Sequence, residues 1–268
     1  MNILRRLRIN HALYTTSFAL IGWIFSGFQV NSEFLILMVS LFFFNIFAFV
    51  YNDFIDAPFD AKDNHKSKRN IFCDKKNLKF GKTISVFLII FVLVTALFVN
   101  TQYFFLLLIM LSLMVLYSGP VFRAKSRPFF DVLFHATWAV LVFFAGYYYF
   151  FSYSIGLILG SILIFLLSSI QEIGQEIRDF TIDKETNQKT SVQVLGLKNS
   201  IILIKGIIYI IHIILTLGFL FMNHSLLSII SITIPLLNIF KIIDFKKSFG
   251  KLWSTLTLSL MLLFISLF

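Results

Sequence analysis

The placement of lysine and arginine limits this chain more than any other feature. All 23 fall in five groups. Arg5, Arg6 and Arg8 come first, then Lys62, Lys66, Lys68, Arg69, Lys75, Lys76, Lys79 and Lys82. Arg123, Lys125 and Arg127 form the third group; Arg178, Lys184, Lys189, Lys198 and Lys205 the fourth; Lys241, Lys246, Lys247 and Lys251 the last. Between successive groups the chain is apolar for long enough to cross a bilayer and return, since about 20 apolar residues in a helix span ~30 Å of hydrocarbon. Nine such runs are present: His11–Val30, Phe34–Tyr51, Thr83–Val99, Gln102–Tyr117, Phe130–Phe150, Ser154–Ile173, Ser200–Phe221, Leu226–Ile242 and Leu252–Phe268. They are continuously apolar rather than alternating, which excludes a transmembrane barrel. Basic loops are retained on the cytoplasmic side. The pattern therefore predicts an all-α, multi-pass integral membrane protein of nine transmembrane helices, a single domain over residues 1–268. Its N-terminus is expected in the cytoplasm and its C-terminus outside. The first run follows arginines, as in a signal peptide. It is long, lacks a small-residue cleavage site and precedes eight more spans, so it is read as the first helix.

Composition agrees. Hydrophobic residues make up 58% and charged residues 13%, against about 25% charged in soluble domains, which excludes a water-soluble enzyme or a disordered chain. Cys73 is the only cysteine, so there is no disulfide framework and no multi-cysteine metal site. The net charge of +10 points to anionic membrane lipids rather than nucleic acid, for which no stacking module is present.

The acids carry the functional signal. Of the 13 carboxylates, only Glu33 lies on the other side of the predicted membrane, and the insertion rule does not call for acids among the basic loops. Most cluster at two span ends: Asn52-Asp53-Phe54-Ile55-Asp56-Ala57-Pro58-Phe59-Asp60, and Glu172-Ile173-Gly174-Gln175-Glu176-Ile177-Arg178-Asp179-Phe180-Thr181-Ile182-Asp183. Residues four apart share a helix face, so Asn52, Asp56 and Asp60 are expected to line one face, and Asp179 and Asp183 another. Pro58 is expected to bend the first helix or end it early. Unpaired carboxylates at a membrane boundary repel one another and are costly to desolvate. A hard divalent cation relieves both, and Mg²⁺ is commonly held by one or two carboxylates together with substrate phosphate. The blander reading pairs these acids with neighbouring Lys and Arg in solvated loops; two clusters of matching spacing on the same side favour the metal.

The first cluster matches the N-D-x-x-D-x-x-x-D motif of the UbiA superfamily of intramembrane prenyltransferases, and the second resembles that family's D-x-x-D-x-x-x-D, with Glu176 in the first acidic place. Lys189-Thr190-Ser191-Val192-Gln193-Val194-Leu195-Gly196 is similar to the family's K-T-L-P-V-x-L-G. The segment from Tyr117 to Pro128 resembles its Y-S-x-P-x-x-R-x-K-x-R-P loop, and His11 with Phe18-Ala19-Leu20-Ile21-Gly22 its opening helix. The departures are Glu176 for Asp, Val192 for Pro, and Ser67-Lys68-Arg69-Asn70 where many members have an R-P pair.

This resemblance implies nine helices around a central cavity whose cytoplasmic mouth holds the two motifs. Mg²⁺ held by Asn52, Asp53, Asp56, Asp60, Glu176, Asp179 and Asp183 is expected to bind an isoprenyl diphosphate. Lys68, Arg69, Arg123 and Lys125 are expected on the diphosphate, each set against its role as an ordinary positive-inside residue. Asn52, Asp56, Asp179 and Tyr117 are expected at the chemical step, after which a lipophilic acceptor takes the prenyl group; likeness around His11 favours a quinone precursor. Asp131 and His135, one turn apart, are weighed as an extension of the site against an acid near a helix start and a satisfied histidine. A terpene cyclase of the same superfamily needs the same clamp and no acceptor. An ion-coupled transporter would place its acids near the bilayer midplane on broken helices, and these lie at a mouth. No feature of the sequence sets an oligomeric state.

Overall fold

The computed structural model describes residues 8–26, 30–62, 66–147, 155–185 and 188–221, and beyond them 223–225, 227–229 and 231. Seven long helices account for most of them: α1 (Ile9–Phe25), α2 (Ser32–Asp60), α3 (Leu78–Leu97), α4 (Thr101–Ser118), α5 (Phe130–Tyr147), α6 (Ile155–Glu185) and α7 (Ser191–Phe221). Six of them, α2 to α7, are long and apolar enough to cross a membrane. The first seven expected spans correspond to α1–α7. The expected spans Leu226–Ile242 and Leu252–Phe268 lie outside the described residues apart from 227–229 and 231.

Asparagines start two of the helices at the end away from the charged loops. Asn31 accepts the Phe34 N–H at 2.9 Å with Glu33 in the first turn of α2, and Asn100 accepts the Tyr103 N–H at 2.7 Å to start α4. Each satisfies a backbone donor that has no partner within the helix.

Two helices outrun their apolar segments, and both overruns bear on function. α2 continues through Pro58 to Asp60, and the Ala61 N–H closes on the Ala57 carbonyl at 3.0 Å. The expectation that Pro58 ends the helix early is thus corrected; proline removes one backbone donor, and here it sits in the final turn. α6 continues past Ile173 to Glu185 and carries the whole second motif. α7 is broken at Gly196 (φ 77°, ψ 156°), which separates a turn over residues 191–195 from the apolar helix that follows. Glycine adopts that positive φ without the penalty a Cβ brings.

α2 packs on α1 and α3, α3 on α4, α4 on α5, α5 on α1 and α6, and α6 on α7. The α1–α5 seam is the tightest. A Cβ added at Gly22 would lie 2.1 Å from the Phe143 carbonyl oxygen, and one at Gly146 1.9 Å from that of Ala19. Small residues let the two backbones touch, as helices packed in lipid require. Inside the core, Trp138 of α5 donates to Asn45 of α2 at 3.3 Å, and Asn45 donates to Thr16 of α1 at 3.0 Å. That buried chain satisfies polar atoms that would be costly in an apolar interior. Phe87, Leu97 and Phe98 are among the exposed apolar side chains, the surface that a bilayer covers.

Candidate active site at the charged end of the helices

The alternating directions of the helices bring the end of α2, the end of α4, the start of α5, the end of α6 and the start of α7 to one end. Asn52 and Asp56, one turn apart on α2, meet the loop between α4 and α5 there. Lys125 donates to Asn52 Oδ1 at 2.7 Å and also to Asp56 Oδ2; Arg123 Nη2 donates to Asp56 Oδ1 at 2.9 Å. Arg123 has a positive φ of 49°, its guanidinium lies 4.2 Å from the centre of the Phe59 ring, and its Nε reaches Ser126 at 3.1 Å. Burial pushes the Lys125 ammonium pKa down, and the adjacent Asp56 carboxylate works against that shift. Two cations on one half-buried carboxylate, with an amide oxygen beside it, make a compact charged cradle.

Asp60 does not join it. A four-residue step turns a helix by ~40°, so two steps carry Asp60 about 80° away from Asn52 and toward Asp53. Asn70 marks that side, donating to Asp60 Oδ2 at 2.9 Å and to the Asp53 carbonyl at 2.7 Å. The Asp53 side chain is buried and paired with Arg8 at 2.5 Å, which ties the start of α1 to α2. The expected single face of Asn52, Asp56 and Asp60 is therefore two sectors. Lys68 is exposed on the short helix Lys66–Arg69; the side chain of Arg69 lies outside the described residues.

The second motif is divided too. Glu176 is buried, and its Oε2 accepts the Val192 N–H at 2.9 Å. Asp131, at the start of α5, accepts the Ser191 N–H at 2.7 Å and the Ser191 hydroxyl. These two carboxylates hold the first amides of α7, where a helix start favours negative charge. Expected among the metal ligands, Glu176 gives one oxygen to the backbone. Asp179 is half-buried, 3.5 Å from Arg178, and Asp183 is buried. Among the described residues, no three Asp, Glu, His or Cys side chains gather closely enough to hold a metal unaided.

The end of α4 joins the two motif helices. Ser118 donates to Asn52 of α2 at 2.8 Å, and its neighbour Tyr117 donates to Glu172 of α6 at 3.0 Å. Glu172 Oε2 also faces His135 Nε2 at 3.5 Å, and the Ser168 hydroxyl lies 3.0 Å from His135 Nδ1. Asp131 and His135 thus part company: the acid serves α7 and the histidine serves Glu172. Glu172, Ser118, Ser168 and Asn70 carry no expectation from sequence as site residues, and only the position of Glu172 inside the acidic cluster signalled it.

The model of the UbiA prenyltransferase family matches residues 12–267. The chain belongs to that family. Two solved structures of a UbiA homologue from Archaeoglobus fulgidus share its fold. One, with GPP and Mg²⁺ bound, is 20% identical, with a TM-score of 0.72 over 98% of this chain and 99% of that one. The other, with DMAPP and Mg²⁺ bound, is 21% identical, with a TM-score of 0.73 over the full length of both. A UbiA homologue from Aeropyrum pernix K1, solved without ligand, is 16% identical, with a TM-score of 0.72 over 96% of each chain. No curated protein matches. This UbiA-family member is therefore an integral, multi-pass membrane protein, and its two acidic motifs end α2 and α6 at the same end of the fold.

Proposed function

We propose that this chain transfers an isoprenyl group from a prenyl diphosphate to a lipophilic acceptor within the membrane, with Mg²⁺ at the charged end of the helices. The observation that carries the reading is the convergence of Arg123 and Lys125 on Asp56 and Asn52. It joins membership of a prenyltransferase family to a built anion-handling site.

The donor set suits Mg²⁺. Asn52, Asp56, Asp60, Asp179 and Asp183 offer only oxygen, which this hard cation takes. Those residues would hold it, and when bound it supplies positive charge for the departing diphosphate. Arg123 and Lys125 are held against Asp56 until a diphosphate arrives. They then turn to phosphate oxygens, which Arg matches with two parallel hydrogen bonds and Lys as a point charge. Asp56 and Asn52 would then be free to hold the metal. Ser118 keeps Asn52 oriented, and Tyr117 stands between the diphosphate end and Glu172. The basic loops argue that this end faces the cytoplasm, with the N-terminus on the same side and the C-terminus opposite.

Diphosphate release from labelled geranyl, farnesyl and geranylgeranyl diphosphates tests the reading, using purified protein with and without Mg²⁺ and with and without a membrane lipid extract. Mg²⁺-dependent release that needs the extract and yields a prenylated lipid supports a transferase. Release without the extract, giving a cyclic hydrocarbon or alcohol, replaces it with a cyclase. No release from any donor overturns the activity.

A further inference from the structure

Prenyl transfer to a neutral acceptor leaves one proton to be placed. The acceptor's nucleophilic atom bonds to C1 of the prenyl group, the C1–oxygen bond to diphosphate breaks with its electron pair, and the acceptor gives up the hydrogen it carried. A group beside the site must take that proton. Asp56 is already taken up by Arg123 and Lys125, one on each oxygen. Asp131 holds the Ser191 N–H and hydroxyl with its two oxygens, and Glu176 is turned to the start of α7, where one oxygen holds the Val192 N–H.

We infer that Glu172 receives this proton and shares it with His135; the role rests on the prenyl-transfer reading. Glu172 is the carboxylate joined through Tyr117 to the strand of contacts that reaches Asn52. Its other oxygen faces His135 Nε2 at 3.5 Å. Ser168 fits both states of the ring. Its hydroxyl lies 3.0 Å from Nδ1 and 3.3 Å from the His135 carbonyl, so it can accept from an Nδ1–H while donating to that carbonyl. Nε2 is then left to take the proton from Glu172 Oε2. The ionisable groups around Glu172 are Tyr117 from α4, His135 and Asp131 from α5, and Glu176 on its own helix. Lys189, Lys198 and Lys205 near or on α7 are exposed, and Arg8 beside α1 is committed to Asp53. Among the described residues Glu172 meets Tyr117 and His135, and no Lys or Arg is paired with it.

The test uses full-length protein in lipid nanodiscs with Mg²⁺, each of labelled geranyl, farnesyl and geranylgeranyl diphosphate in turn and a membrane lipid extract, reading diphosphate release and prenylated lipid separately. Glu172→Gln is expected to lower prenylated lipid by at least about 100-fold, the lower range for a lost acid–base group. Diphosphate release should persist, with free prenyl alcohol formed by water, and the donor KM should stay within about twofold. His135→Gln, which removes the group that shares the proton, should lower prenylated lipid by at least about 10-fold while diphosphate release persists. If Glu172→Gln does not fold, His135→Gln decides. Glu172→Gln with wild-type yields of prenylated lipid overturns the role. So does equal loss of release and transfer, or a wild-type yield of prenylated lipid in His135→Gln. Wild type that releases no diphosphate overturns the prenyl-transfer reading and this role with it, whereas uncoupling confined to the variant supports both.

Discussion

Lys125 Nζ lies 2.7 Å from Asn52 Oδ1 while donating to Asp56 as well, so one ammonium closes both polar side chains of the first motif's leading turn. Replacing it should cost substrate handling more than fold. Lys125→Met leaves Asp56 with Arg123 alone and, on the proposed function, removes a cation from the diphosphate's path. A drop of about 10²-fold in kcat/KM is expected, the scale for losing one buried partner of a charge pair. Asp56→Asn should fall further, by about 10³-fold, through loss of a preorganised charged group. Donor titrations on purified protein, with melting temperature as the control for folding, check both.

Glu176 and Asp183 should separate in the opposite sense from a uniform ligand motif. Glu176 holds the Val192 amide, so Glu176→Gln weakens the start of α7 by about 1 kcal/mol, a typical loss for helix-end charge and capping. Turnover should remain measurable. Asp183→Asn should abolish turnover with little change in melting temperature. Equal loss of activity in the two variants would return Glu176 to the ligand set.

Two glycines give a packing test with an internal control. At Gly146 an added Cβ would sit 1.9 Å from the Ala19 carbonyl oxygen, whereas at Gly206 nothing lies within 4 Å. Gly146→Ala forces α1 and α5 apart, at about 1–3 kcal/mol for overpacking. Gly206→Ala relieves a helical glycine and should be neutral or stabilising by up to about 1 kcal/mol. Thermal unfolding in a fixed detergent reads both, and a shift of equal sign would contradict the seam.

What could be read before the fold was known follows from how far apart the interacting residues lie in sequence. The spans were legible because hydrocarbon thickness and loop charge leave one-dimensional traces. The Asn52–Asp56 pair was legible because four residues is one helical turn. Asp60 misled, because the same spacing repeated twice drifts around the helix toward Asp53. The partners that give Glu172 and Asp131 their roles were hidden: Tyr117 lies 55 residues from Glu172, and Ser191 lies 60 from Asp131. No local period records such contacts. Glu176 fits the second motif by spacing, yet only the return of α7 shows that its oxygen meets a backbone amide.

Cys73 offers a direct check on orientation. It is the chain's only cysteine, it lies in the short turn Ile71–Cys73 between α2 and α3, and its thiol contacts the Ala57 carbonyl at 3.6 Å. Burial pushes its pKa up, with Asp60 and Asp53 adding to the shift. The thiolate is the reactive form, and a raised pKa leaves less of it near neutral pH than an ordinary cysteine has. Labelling by a membrane-impermeant maleimide should therefore be slow at pH 7 and accelerate as pH rises through the alkaline range. With sealed vesicles, the proposed cytoplasmic placement of the charged end predicts labelling in inside-out preparations and protection in right-side-out ones. Asp60→Asn removes one of the charges that raise the pKa and should speed labelling at pH 7. Labelling confined to right-side-out vesicles would reverse the topology and move the diphosphate site to the other face of the membrane.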